Sequence, residues 1–232
     1  MKAKTVATLN QINNDFYVVV GDDFSASRQS AWGGFEKWAD FIQSLGFGKS
    51  LDLLDVGCGN GRFGKFVETR FKEVKYTGLD SSRNLLDVAK RNNTSFELIE
   101  CDFVDKKIND CLPQNRTFEA AVCWGVMHHI PGLEKRHKFL QDLWSLVGKG
   151  GSLGVSFWQF GLQERFLTRV VPWENFKTKT RYQIDVDDLE KRDYILDWKR
   201  GKTAYRYCHY CDLDEIQNLI ERLSARKVTE FN

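Results

Sequence analysis

At 232 residues and a formal net charge of +2, the chain is long enough for one well-buried domain and too short for two. Hydrophobic residues at 42% and charged residues at 28% exclude a disordered chain, and no apolar run nears the roughly 20 residues of a membrane-spanning helix. The polar opening MKAKTVATLNQINNDF lacks the apolar stretch of an export signal, so a cytoplasmic location with reduced cysteines is expected.

Up to residue 48 the chain reads as a helical cap, with Phe35, Trp38, Ala39, Ile42 and Leu45 recurring in steps of three and four. Short apolar strands are expected at 51–56, 75–79, 96–100, 119–124 and 151–157. Helices are expected between them at 61–71, 82–91 and 133–147, with a weaker candidate near 105–112. Strands and helices alternating in this way imply an α/β domain whose mainly parallel sheet is covered by helices on both faces. After Trp158 the pattern breaks. A helical start at 163–170 leads to DYILDWKRG and TAYRYCHY, two alternating aromatic-rich strands joined through Gly201 as an antiparallel hairpin. A helix at 213–224 and a short strand at 226–231 close the chain and leave a sheet edge that a partner could cover. The expected organisation is a single domain over 1–232: a helical cap (1–48), a core (50–158) and an inserted hairpin segment (159–212).

Neither the cysteines nor the charges point to a special chemistry. Cys208 and Cys211 form a C-x-x-C around His209, but a tetrahedral zinc site needs a second pair that the sequence lacks, so no metal is expected. Residues 160–210 hold eleven Lys and Arg against eight Asp and Glu, an excess small enough for an ordinary solvated surface.

The strongest local signal is LDLLDVGCGNGRF, residues 51–63, where an apolar strand runs into Asp55, then Gly57 and Gly59, then a helix. Glycines so spaced let the backbone turn tightly and approach a ligand closely. A carboxylate two positions before the first glycine would serve a pyrophosphate poorly and a cationic sulfonium with an amino group well. Asp80, followed by Ser81, ends the second strand, where it can accept ribose hydroxyls. Asp102 follows the third strand, placed for an adenine amino group, with Phe103 available beside the ring. Cys123 and Trp124 end the fourth strand, and the loop onward through His128 would cover the reacting end of the ligand. Ligands of open α/β sheets bind at the carboxyl ends of the strands, so these pieces converge on one crevice.

Together they resemble the class I methyltransferases, a resemblance that covers about residues 50–158 and implies a Rossmann-like fold with S-adenosylmethionine as cofactor. The flanks are similar to one branch, the methyltransferases that esterify 5-carboxymethyluridine at the tRNA wobble position. DDFSASRQSAW (22–32) resembles that family's F-S-x-T-R-x-x-x-W opening, with Ser27 where Thr is usual. The VMHHIP loop followed by Arg136, and DYILDWKRG with YRYCHY, resemble its substrate side. The resemblance implies Arg28, Arg206 and His209 near the reaction centre; either Arg28 or Arg206 would grip an anionic carboxylate, with His209 tuning its alignment. Trp32 and Tyr207 would stack an unpaired base, His128 would shape the pocket, and Lys199, Arg200 and Lys202 would meet phosphates. It also implies tRNA as partner and, as in eukaryotic members, a small activator subunit. The alternatives left open are a methyltransferase for a small-molecule metabolite and a non-catalytic cofactor-binding module.

Overall fold

In the central strands, side chains alternate between two buried faces. β1 (Ser50–Val56) sends Leu51 and Leu53 to one face and Leu54 and Val56 to the other; β4 (Phe118–Cys123) divides Ala120 and Val122 from Ala121 and Cys123 in the same way. The computed structural model describes residues 1–27, 30–47, 50–200, 202–223, 225, 227, 229 and 230, the side chains of Lys199 and Arg200 excepted. With β2 (Glu73–Asp80), β3 (Glu97–Glu100) and β5 (Val147–Val155), these strands form a five-stranded parallel sheet in the order β3-β2-β1-β4-β5. One face is packed by α2 (Gly33–Ser44), α3 (Arg62–Arg70) and α4 (Arg83–Asn92), whose aromatic and aliphatic residues include Phe35, Phe63 and Leu86. The other is packed by α5 (Leu133–Ser145) and α8 (Leu213–Glu221), with Leu140, Leu143 and Leu219 in the core. A mainly parallel sheet covered on both faces is the α/β architecture expected from the sequence, and no helix among the described residues is long and apolar enough to cross a membrane.

The segment after β5 builds a second sheet. α6 (Glu164–Leu167), β6 (Val170–Val171) and α7 (Trp173–Lys179) lead into the antiparallel hairpin of β7 (Asp193–Arg200) and β8 (Lys202–His209), and the strand order is β6-β7-β8. The 24-residue α1 (Ala3–Ala26) lies on this sheet: Leu9 and Ile12 meet Ile195 and Tyr207, while Phe16 and Val20 meet Trp198 and Ala204. The cap is thus two helices with different partners, α1 serving the insertion and α2 the core.

A buried charge network fastens the insertion to the core. Arg136 of α5, 1% exposed, donates to Glu190 at 2.7 Å and to Glu215 of α8 at 2.8 Å. His209 at the end of β8 donates from Nδ1 to Asp193 of β7 at 2.7 Å and from Nε2 to Glu215 at 2.8 Å. Burial works against the charged ring, but the hydrogen bonds to Asp193 and Glu215 prevail and raise the His209 pKa.

Several details differ from the sequence reading. The candidate near 105–112 is a single 3-10 turn, Ile108–Cys111, too short and too interrupted by Asp110 for a full helix. The stretch 163–170 yields a four-residue helix before Val170 enters the small sheet. In the expected final strand, residues 227, 229 and 230 are not in a strand, and 226, 228 and 231 lie outside the described residues. The cysteines are not all reduced. The loop after β3 folds back and brings the Cα atoms of Cys101 and Cys111 within 6.1 Å, inside the range a disulfide spans, and the two are bonded.

Candidate active site

The carboxyl ends of the parallel strands open into a crevice of about 990 Å³, roofed by α1 and flanked by the insertion. Its floor is the loop after β1. Gly57 has φ +78 and sits so close to the loop after β4 that an added Cβ would lie 2.1 Å from Val126 Cγ2. Gly59 has φ +55, and an added Cβ there would meet nothing within 4 Å, so its backbone is bared to the crevice. The loop is tied to the next strand by hydrogen bonds from the Gly57 and Cys58 N–H groups to the Leu79 carbonyl.

Two buried carboxylates face one another across this loop. Asp55 accepts from Tyr76 Oη through Oδ2 at 2.6 Å, while its buried Oδ1 has no hydrogen-bond partner among the described residues. Burial pushes Asp55 up to about 7; Tyr76 and Arg62 pull it down, and the charge of Asp80 adds to the rise. Asp80 accepts from the Gly59 N–H and the Ser82 N–H, both at 2.8 Å, and burial raises its pKa against those bonds. An orphaned acceptor, a bared glycine backbone and a second carboxylate at the next strand end fit a ligand with an ammonium at one end and a ribose in the middle. S-adenosylmethionine has that form, and Asp55, Gly59, Asp80, Ser81 and Phe103, all lining the crevice, would hold it.

Two of the expected cofactor residues are placed elsewhere. Asp102 does not line the crevice; its oxygens accept from Asn10 Nδ2 at 2.9 and 3.2 Å, from Asn14 Nδ2 at 3.2 Å and from the Val104 N–H at 3.1 Å. Cys123, fully buried, turns into the core as strand alternation requires, leaving Trp124 to line the crevice.

On the acceptor side the structure brings together Trp32, His128 and Arg206. Trp32 is half exposed at the mouth. The ring of His128 packs 4.9 Å from that of Trp158. Arg206, 7% exposed, lies between two aromatic faces, its guanidinium carbon 4.7 Å from the Trp158 ring and 5.5 Å from that of Phe16. It makes no ion pair among the described residues.

Tyr207 and His209 are corrections to the sequence reading. Next to Arg206 on the strand, Tyr207 points the opposite way, is fully buried and donates to Asp193 at 2.7 Å, so it stacks no base. His209 shares that buried side, and both its ring nitrogens are committed to carboxylates away from the crevice. Arg28 and the side chains of Lys199 and Arg200 lie outside the described residues. Lys202, expected on phosphate, donates to the Val19 carbonyl at 3.2 Å.

The sequence reading missed the polar stripe of α1. Asn10, Asn13, Asn14 and Tyr17, spaced by three, four and seven, all line the crevice, and Tyr17 Oη is hydrogen-bonded to His129 Nε2 at 3.0 Å. The opposite nitrogen of His129 donates to the Tyr207 carbonyl at 3.1 Å, so Nδ1 carries a proton. The spacing was visible in LNQINNDFY, but nothing in it showed that this helix would roof the site.

Residues 53–151 match the family model described as a methyltransferase domain. The core is a methyltransferase domain. The tRNA (carboxymethyluridine(34)-5-O)-methyltransferase of Xenopus tropicalis is 32% identical over 142 residues, which cover 61% of this chain but only 20% of that relative. The enzyme of the same name from Saccharomyces cerevisiae is 26% identical over 209 residues, 79% of this chain and 70% of its own length. The chain therefore spans about a fifth of the animal relative and most of the yeast one. Among solved structures, an amino pentose methyltransferase from Micromonospora echinaspora superposes with a TM-score of 0.58 at 16% identity, covering 88% of this chain and 87% of the other. That likeness shows the fold. S-adenosylmethionine is the cofactor that the methyltransferase domain implies and that the crevice fits.

Proposed function

We propose that the protein transfers the methyl group of S-adenosylmethionine to the carboxylate of 5-carboxymethyluridine at the wobble position of tRNA. The observation that carries this reading is Arg206. A buried guanidinium without a counter-ion among the described residues is costly, and its position in the crevice is explained if the acceptor brings the negative charge. The names of the relatives from frog and yeast support the same acceptor.

The chemistry asks little of the chain. The cofactor, when bound, supplies an activated methyl group on a cationic sulfur. A carboxylate acceptor is already a nucleophile, so no general base is required. The work left to the residues is alignment and exclusion of water. Arg206 would hold the carboxylate through paired hydrogen bonds, its plane fixed between Phe16 and Trp158. Trp32 would stack the base at the mouth. A small activator subunit, where one is needed, could pack on β3 or β5, the outer strands of the parallel sheet among the described residues.

The test uses methyl-labelled cofactor with two acceptor pools, bulk tRNA lacking the ester and a tRNA-free metabolite extract. Alkali-labile label in tRNA, located in a carboxymethyluridine ester by nucleoside mass spectrometry, is the expected result. Label confined to the metabolite pool would replace this reading with a small-molecule methyltransferase.

A further inference from the structure

Several buried polar atoms without a hydrogen-bond partner among the described residues belong to side chains that line the crevice: Asn13 Nδ2, Trp38 Nε1, Asp55 Oδ1 and Trp124 Nε1. Asp55 Oδ1 is an acceptor and faces the cofactor's ammonium in the reading above. The others are donors: the two indole N–H groups have no alternative assignment, and the Asn13 amide can be oriented as well. Its Oδ1 accepts from the Tyr207 backbone N–H at 2.8 Å. A backbone N–H can only donate, so the oxygen must stand there and the amide cannot be flipped. Nδ2, with two hydrogens to give, is necessarily the uncommitted end of a side chain that is 4% exposed.

The surroundings say what it could meet. Asn13 is tied to Tyr207, the residue after Arg206, and Phe16, one turn further along α1, carries the Arg206 guanidinium on its ring. The amide and the guanidinium therefore belong to one wall. Leaving such a buried donor unmade is costly, a cost that disappears when a ligand oxygen arrives. In a uracil bearing a carboxymethyl group at C5, the O4 carbonyl stands beside that substituent. An acceptor whose carboxylate is gripped by Arg206 thus brings a carbonyl oxygen to the same wall.

We infer that Asn13 determines base specificity: its Nδ2 donates to the O4 carbonyl of the methyl acceptor and selects uracil over cytosine, which carries a donor amino group at that place. This rests on the carboxymethyluridine reading of the crevice and sharpens it. Asn10 and Asn14, one turn away, are occupied by Asp102, which leaves Asn13 as the free amide of the stripe.

The direct test is the nitrogen-15 spectrum of the full chain with S-adenosylhomocysteine bound, following the Asn13 side-chain amide signal, assigned by its absence in N13D. The probes are the nucleosides 5-carboxymethyluridine and 5-carboxymethylcytidine, and the two anticodon stem-loops that carry them. A downfield shift with the uridine probes and none with the cytidine probes is expected. No shift with any probe overturns the inference. If the free uridine nucleoside shifts the signal while the chain methylates neither stem-loop, Asn13 stands as a reader of the uracil and the tRNA assignment falls.

The kinetic counterpart is the ratio of kcat/KM for the uridine and cytidine stem-loops. Both N13D and N13A should lower that preference by roughly 10- to 100-fold, the worth of one buried hydrogen bond. N13D keeps the acceptor for the Tyr207 N–H, so a merely structural role would be rescued by it with the preference intact. That result would also contradict the inference.

Discussion

Asp55 is the residue whose protonation state the crevice leaves most exposed to its ligand. Its ordinary pKa of 3.8 is pushed up to about 7, so between those values the ligand-free folded protein holds a proton that the unfolded chain has released. The folded state then binds more protons, and stability must fall as pH rises through that window, by at most about 4 kcal/mol. Chemical denaturation at pH 5.5 and 7.5 should show this loss in wild type relative to D55N, in which the slope is absent. If the ionised carboxylate is the form that meets the cofactor's ammonium, affinity should weaken about tenfold per pH unit below 7, a dependence that calorimetry reads directly. Gly59→Arg should abolish cofactor binding while leaving the circular dichroism spectrum intact, because the added side chain projects into open crevice rather than into a neighbour. Arg206→Ala should lower kcat/KM for a carboxylate acceptor roughly 100- to 1,000-fold with cofactor affinity unchanged, and Arg206→Lys should recover part of it, lacking only the planar fork. The crevice positions of Asp55, Gly57, Gly59 and Asp80 were legible in the sequence because they fall at the ends of β1 and β2, where topology sets position; Asp102, at the end of β3, was read the same way but is held by α1 instead. The places of His209 and Tyr207 were not legible. Which side of β8 faces the crevice depends on the packing of α1 and Asp193, and strand alternation then puts Arg206 in the site and both its aromatic-ring neighbours out of it.

At the scale of elements, Arg136 shows how the insertion is held over the site. It is the shared cation of Glu190 and Glu215, and His209 completes the network from the end of β8. Removing one partner of such a buried cluster strands its opposite charges, so Arg136→Met should cost about 3–5 kcal/mol, measured by urea unfolding. The His209 contribution has its own pH sign. Because its pKa is raised in the fold, the imidazolium's stabilisation is fully present below about 6.5, the unfolded value, and is lost as pH rises through the folded one. The sequence reading identified α5, β7 and β8 by their periodicity. It missed α1 as the roof, since the contacts that place Asn13 against Tyr207 span 194 positions and leave no local trace. The disulfide escaped for a related reason: two cysteines ten apart are ambiguous until the loop between them is folded.

Over the whole molecule, two sheets with different tasks meet at one crevice. The parallel sheet supplies the cofactor loop and the carboxylates, and its order, β3-β2-β1-β4-β5, places β1 and β4 side by side so that their loops share the floor. The small antiparallel sheet supplies Arg206, and α1 bridges the two, with Asn10 and Asn14 on Asp102 at one side and Asn13 on β8 at the other. A single helix therefore ties the loop after β3 to the hairpin strand that carries Arg206. The measurement that bears most directly on this account compares two anticodon stem-loops differing at one group, a 5-carboxymethyluridine and its 5-carbamoylmethyl amide, as acceptors for labelled methyl. Label on the acid alone, released by mild alkali as methanol, is the predicted result. Equal labelling of both, or label that survives alkali, would contradict a carboxylate held by a buried arginine.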